Sequence, residues 1–172
     1  SAGARRRFHD ESEILARLRH PGIAQVYEAG THPAGDGLEE LPFFAMELVD
    51  GASDLVTWAS GLDLAAKLRL LIQVADAVHH GHHKGVIHRD LKPANVMVTR
   101  TGAKLLDFGL AKLRADDVGI LEGLTQTVPL TGRGQILGTL HYMAPEQLEG
   151  KPVDARTDLF AFGLIVYEMA TG

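Results

Sequence analysis

Apolar positions at helical spacing open the chain: Phe8, Ile14, Leu15 and Leu18 recur between charged residues over 5–19, predicting an amphipathic helix that His20-Pro21-Gly22 ends. Two apolar runs follow, Ile23 to Ala29 and Phe43 to Val49, with the branched and aromatic side chains that suit strands. The Gly- and Pro-containing stretch from Thr31 to Pro42 between them reads as a surface loop. A second helical period runs from Leu62 to His83 and puts Leu64, Leu68, Leu71, Ile72, Ala75 and Val78 on its expected buried side, with Trp58 and Leu55 as core nearby. Val86-Ile87, Val96-Met97-Val98 and Lys104-Leu105-Leu106 are expected as short strands between turns. Residues 110–140 hold Gly and Thr without a period and are expected as a long loop. Asp158 to Met169 is apolar almost all round, the pattern of a helix at the centre of a large domain.

Composition agrees with a packed core: 45% of the 172 residues are hydrophobic and 23% charged. Lys and Arg number 17 against 22 Asp and Glu, a net charge of −5, which argues against a protein-wide grip on nucleic acid or anionic lipid. With no cysteine, disulfides, thiolate nucleophiles and Cys-based metal sites are excluded. The longest apolar run, Leu159 to Tyr167, is far short of the roughly 20 residues that cross a bilayer. The chain starts Ser1-Ala2-Gly3-Ala4-Arg5-Arg6-Arg7 and stops at Met169-Ala170-Thr171-Gly172, straight after an apolar segment, so both ends are expected to be cuts from a longer chain.

The chemistry concentrates in residues 88–109. His88-Arg89-Asp90-Leu91-Lys92-Pro93-Ala94-Asn95 is followed by Asp107-Phe108-Gly109. Moving a γ-phosphoryl group needs an acceptor hydroxyl held in line, a base near its proton, and cations on the phosphate oxygens. Asp90 can take the proton, and Lys92 can place a positive charge on the group in transit. Asn95 and Asp107 offer the hard oxygens that Mg²⁺ takes beside water and phosphate. Either half alone is a weak pattern; both in order are specific.

On these motifs the chain resembles the eukaryotic-type serine/threonine protein kinases, and Gly85-Val86-Ile87-His88 and Met143-Ala144-Pro145-Glu146-Gln147 look most like bacterial members. The resemblance implies an α+β, bilobal kinase fold in part, from the family's αC helix to its αF helix, without its first three strands or its helices αG to αI. Residues 1–49 would then belong to the small lobe and 50–172 to the large one. Glu11, nine positions before His20, matches the αC glutamate that pairs with a strand lysine; Leu15, Val26, His88 and Phe108 match the hydrophobic spine. Met46 matches the gatekeeper, Glu47 and Val49 the hinge backbone facing adenine, and Met97 the floor under the ring. Ala144-Pro145-Glu146 matches the close of the activation segment, with Glu146 expected to pair with an arginine after residue 172; Asp158 matches the aspartate that anchors the catalytic loop. Thr139 is expected to bond Asp90 and Lys92. Arg7, Arg89 and Lys112 match cations that converge on a phosphorylated activation segment, with Thr125, Thr127 and Thr131 as candidate acceptors.

There are departures. No Gly-rich loop and no Val-Ala-Ile-Lys strand occurs, and Asp90 and Asp107 stand 17 positions apart, one fewer than the family's commonest interval. Gly132 to Gly138 only mimics a phosphate-cradling loop, His79-His80-Gly81-His82-His83 reads as structural or solvated rather than metal-binding, and Arg5-Arg6-Arg7 as a solvated face. The implied activity is ATP-dependent phosphorylation of protein Ser/Thr hydroxyls, with Mg²⁺ or Mn²⁺ as cofactor. The implied partners are ATP, a protein substrate and a second copy for trans-autophosphorylation, in the cytoplasm or at its membrane face. A pseudokinase scaffold and a small-molecule phosphotransferase are the alternatives; Asp90, Asn95 and Asp107 weigh against the first and Ala144-Pro145-Glu146 against the second. The segment by itself is expected to be inactive.

Overall fold

The computed structural model describes residues 15–33, 40–108 and 141–172. Its backbone starts in helix at Leu15 and Ala16, so most of the helix expected over 5–19, and the loop expected over 110–140, lie outside the described residues. Strands β1 (Val26–Pro33) and β2 (Glu40–Met46) pair antiparallel from Val26↔Met46 to Pro33↔Glu40, with an irregularity between Val26 and Glu28. Both are displaced from the expected runs. Cross-strand pairing carries the hairpin through 31–33 and 40–42, where composition suggested a loop; both strands of this two-stranded sheet are edges, where Pro33 and Pro42 are tolerated. Ile23 is lost from β1 because it bridges Leu105 instead: the Ala24 N–H donates to the Leu105 carbonyl and the Leu105 N–H to the Gly22 carbonyl, both at 2.8 Å.

A second sheet runs β3 (Ser53–Asp54), β4 (Val96–Thr99), β5 (Gly102–Leu105), antiparallel throughout. Helices α1 (Leu55–Ala59), α2 (Leu64–His83), α3 (Pro145–Leu148) and α4 (Ala155–Thr171) complete the described chain. Aspartates start three of them: Asp54 accepts from the Thr57 N–H at 3.0 Å, Asp63 from Ala66 at 2.7 Å and Asp154 from Arg156 at 2.8 Å. Helix α2 lies against β5 and α4. Leu55, Leu91, Val96, Val98, Leu105 and Ile165 are fully buried between these elements, each contributing about 1.5–3 kcal/mol.

Two expectations, for α2 and for Val86-Ile87, need correcting. Helix α2 buries Leu70, Leu71, Val74, Ala77, Val78 and Gly81, while Leu64, Leu68 and Ile72 are exposed. The helix carries apolar residues on two stripes, and periodicity cannot choose between them. Helix α4 buries one stripe, Thr157, Asp158, Ala161, Ile165 and Met169, and among the described residues leaves Leu159, Phe160 and Tyr167 exposed. Val86-Ile87 is not a strand: the Val86 N–H folds back to the Gly81 carbonyl at 2.9 Å and closes the end of α2.

Gly81 has a second task. A Cβ built there falls on the edge of the Phe108 ring, so the glycine in the last turns of α2 makes the seat that Phe108 occupies. In an ordinary helix Gly→Ala gains up to about 1 kcal/mol. Here overpacking against a buried ring costs about 1–3 kcal/mol, so Gly81→Ala in the full-length protein should lower the melting temperature, read by calorimetry.

Candidate active site

The segment after α2 enters the core at His88, which is fully buried. Asp158, in the first turn of α4 and 1% exposed, collects its backbone. Its Oδ2 accepts from the His88 N–H at 2.8 Å and its Oδ1 from the Arg89 N–H at 2.8 Å. His82 Nε2, from α2, lies 2.7 Å from Oδ2 and donates there. A buried carboxylate is tolerable only with such donors around it. The His88 ring bonds the Leu106 carbonyl through Nε2 at 3.0 Å, so that nitrogen carries the proton. Nδ1 is left to accept from the Asp90 N–H at 3.4 Å. Burial pushes the His88 imidazole below its usual range, which fits this neutral form. The Phe108 ring packs on it with centroids 5.0 Å apart. Leu15, Val26 and Phe108 share one core cluster.

Beyond His88 the chain turns sharply. Arg89 has φ 68° and Asp107 φ 54°, the two non-glycine residues of positive φ among those described. Each costs roughly 1–2 kcal/mol and persists only where the surroundings enforce it. The turn presents Asp90, whose carboxylate receives Lys92 Nζ at 2.9 and 3.1 Å and Asn95 Nδ2 at 3.1 Å. Asn95 Nδ2 also donates to the Asp90 carbonyl at 2.7 Å. With its nitrogen so engaged, the 9%-exposed Asn95 has only Oδ1 to offer elsewhere. Its carbonyl accepts the Leu106 N–H at 2.8 Å, tying the loop to the approach of Asp107. The donor chemistry of Asn95 and Asp107, one amide and one carboxylate oxygen source, fits a hard divalent cation that takes its other ligands from phosphate and water. Among the described residues no three His, Cys, Asp or Glu gather as a metal cage.

At the opposite side, Met46 ends β2 and 47–49 lead to the second sheet. The Glu47 N–H donates to the Gln25 carbonyl at 2.8 Å. The Glu47 carboxylate pairs with Lys104 of β5 at 2.7 Å and accepts the Gln25 N–H at 3.2 Å. Lys104 in turn stands opposite Met97 in the β4–β5 register. Met46, Glu47, Val49 and Met97 are all half-buried. Glu146 bonds the Thr157 hydroxyl at 2.6 Å, fastening α3 to α4. That hydroxyl holds its carboxyl below the usual range.

The structure thus brings Asp90, Lys92 and Asn95 together, holds Arg89 by Asp158, and joins Phe108 to His88. Glu11, Arg7, Gly109, Lys112, Thr125, Thr127, Thr131 and Thr139 lie outside the described residues. Sequence reasoning missed Lys104, Gln25 and Gln147 as supports of the site. It read the histidine run as structural or solvated without finding that His82 meets Asp158. No local pattern marked these residues, because each partner is 22 to 76 positions away.

The protein kinase domain family matches residues 2–172, and the chain belongs to that family. It is 37% identical over 169 residues to the serine/threonine-protein kinase PknB of Mycobacterium leprae, covering 96% of this chain and 25% of that protein. A probable serine/threonine-protein kinase of Streptomyces coelicolor is 38% identical over 168 residues, 96% of this chain and 23% of its own length. The chain therefore spans about a quarter of the length of the curated relatives it matches. Among solved structures, the PknI kinase domain of Mycobacterium tuberculosis superposes with a TM-score of 0.65 at 30% identity, over 98% of this chain and 56% of that one.

The Glu47–Lys104 pair yields a pH prediction. The Lys104 hydrogen bond, ahead of all other influences, holds the Glu47 carboxyl below its ordinary 4.5. A depressed carboxyl contributes stability that is complete above pH 4.5 and fades as pH falls through the lower folded value. Lys104→Met in the full-length protein should lose about 0.5–1 kcal/mol near neutral pH, as for a partly exposed pair. The difference in melting temperature from the parent should shrink below pH 4.5.

Proposed function

We propose that the chain acts as part of a protein kinase that transfers the γ-phosphoryl of ATP to Ser/Thr hydroxyls of proteins. The observation that carries the reading is the Asp90 carboxylate, held by Lys92 and Asn95 on a loop whose backbone Asp158 anchors. Asp90 accepts the proton of the substrate hydroxyl and aims its oxygen at the phosphorus. Lys92, already 2.9 Å from Asp90, is near enough to turn its charge to the group in transit. Asn95 Oδ1 and the Asp107 carboxylate would hold Mg²⁺, or Mn²⁺, which when bound neutralises the phosphate oxygens. The segment Met46 to Val49 would line the adenine, through the Glu47 carbonyl and the Val49 N–H, with Met97 beneath it. The names of the relatives support Ser/Thr specificity.

The resemblance supplies the rest of this proposal. Glu11 pairs with a lysine of the small lobe, to which residues 1–49 belong, and residues 50–172 belong to the large lobe. Thr139 bonds Asp90 and Lys92, and Gly109 and Phe108 follow Asp107 as its support. Arg7, Arg89 and Lys112 receive a phosphate on Thr125, Thr127 or Thr131, added in trans by a second copy, as charge-assisted bonds would order the segment. The setting is the cytoplasm or its membrane face; no helix among the described residues is long and apolar enough to cross a bilayer.

Two experiments on the full-length protein test this. Asp90→Asn should cut kcat by about 10²–10⁴-fold with ATP affinity kept. Asp107→Ala should weaken Mg-ATP binding by at least about tenfold, since even outer partners of a metal ligand are worth that much. Unchanged turnover in the first or unchanged Mg-ATP affinity in the second refutes the assignment. Mass spectrometry after incubation with Mg-ATP should find phosphate on Thr125, Thr127 or Thr131, and full activity in the triple alanine variant would refute the switch.

A further inference from the structure

Gln147 sits on α3, and its amide makes two bonds of different kinds. Its Oε1 accepts the Ala144 N–H at 3.1 Å, closing the start of its own short helix. Its Nε2 donates to the Arg89 carbonyl at 2.7 Å, on the far side of the chain in sequence. That carbonyl belongs to the peptide unit joining Arg89 to Asp90. Among the described residues the N–H of the same unit reaches His88 Nδ1 at 3.4 Å, a long and weak bond. The Gln147 bond is therefore a strong restraint on that peptide plane. On the other side of Arg89, the N–H is fixed by Asp158 at 2.8 Å. Both restraints come from helices that are fastened to each other, since Glu146 on α3 accepts from Thr157, next to Asp158 on α4.

We propose that Gln147 is a positioning residue: it locks the Arg89–Asp90 peptide plane and through it the direction of the Asp90 carboxylate. The plane of that peptide sets φ of Asp90, so a rotation there swings the carboxylate away from the bonds of Lys92 and Asn95. The left-handed φ of 68° at Arg89 makes the restraint necessary, because an unheld turn would relax toward the ordinary backbone regions. This inference rests on the proposed role of Asp90 as base.

The test separates the donor from the acceptor half of the amide, in the full-length protein, with a Ser/Thr peptide and ATP. Gln147→Glu keeps an acceptor for the Ala144 N–H and loses the donor; Gln147→Lys keeps a donor and loses the acceptor; Gln147→Met loses both. Leaving the Arg89 carbonyl without its donor is worth about tenfold. Gln147→Glu and Gln147→Met should therefore lower kcat about tenfold with KM for ATP within about twofold, and Gln147→Lys should return most of that loss. Melting temperatures fall with the loss of either bond, so Gln147→Lys, which loses the Ala144 cap, should melt below the parent beside the other two while its kcat recovers. A parental kcat in Gln147→Glu, or a kcat that follows melting temperature across the three variants, overturns the inference. Asp90→Asn run beside them keeps the two readings apart. If it abolishes turnover while every Gln147 variant matches the parent, the base assignment stands and the Gln147 inference falls. If Asp90→Asn turns over normally, the base assignment itself falls.

Discussion

One buried carboxylate organises the described structure. Asp158 is 1% exposed and takes three donors, two from the backbone of the loop that carries Asp90 and one from His82 on α2. Burying that charge without its donors would cost several kcal/mol, so the aspartate, the loop and the end of α2 adopt their places together or not at all. The hydrophobic core supplies the reason it stays buried: Ala161 and Ile165, one and two turns on along α4, are sealed in the same cluster as Val74 and Val78 of α2. A helix thus brings its first turn to the loop because its later turns are packed elsewhere.

That anchorage explains why strain is tolerated where it is. Arg89 and Asp107 hold positive φ without being glycine, and both belong to the two motifs that carry the chemistry. Arg89 is pinned by bonds to its N–H and its carbonyl. The run into Asp107 is pinned differently: the Leu106 carbonyl takes the His88 ring and the Leu106 N–H takes the Asn95 carbonyl. The neutral His88, pressed between Leu106 and Phe108, is the joint between the two strained turns. A charged imidazole there would be a desolvated cation with Nδ1–H turned on the Asp90 N–H, which is why burial and the neutral tautomer go together.

How much of this was legible depended on distance along the chain. The motif residues stood out because the chemistry fixes their short spacings: Asp90, Lys92 and Asn95 fall within one loop, and the structure gathers them within hydrogen-bond reach. Helix α2 was legible in extent, expected from Leu62 and found from Leu64, yet its buried side was only partly legible: Leu71 and Val78 are buried and Leu64, Leu68 and Ile72 are not, because apolar residues line two stripes and only the tertiary fold selects one. Strand ends were misplaced where Pro33 and Pro42 argued for a loop, yet pairing ran on through residues 31–33 and 40–42 because both strands are edges. The supports of the site, such as Lys104 under Glu47 and Gln147 over Arg89, were invisible because a hydrogen bond between remote segments leaves no local trace.

The two polar partners of Asp90 differ in a way that matters for any reaction at its carboxylate. Asn95 is 9% exposed, held at both its backbone carbonyl and its side-chain nitrogen, and belongs to the short turn Pro93–Asn95 that runs into β4. It cannot leave without unmaking that turn. Lys92 reaches the same carboxylate on a flexible stem, and its side chain and that of Asp90 are 20% and 29% exposed. Its ammonium is a point charge with rotatable donors, so it can move to a nearby anion while the stem stays in place. An arginine there would grip both oxygens in a rigid fork and block the approach of a hydroxyl. The fixed amide holds the direction of the carboxylate, while the ammonium meets the same carboxylate from a stem that leaves it free to turn.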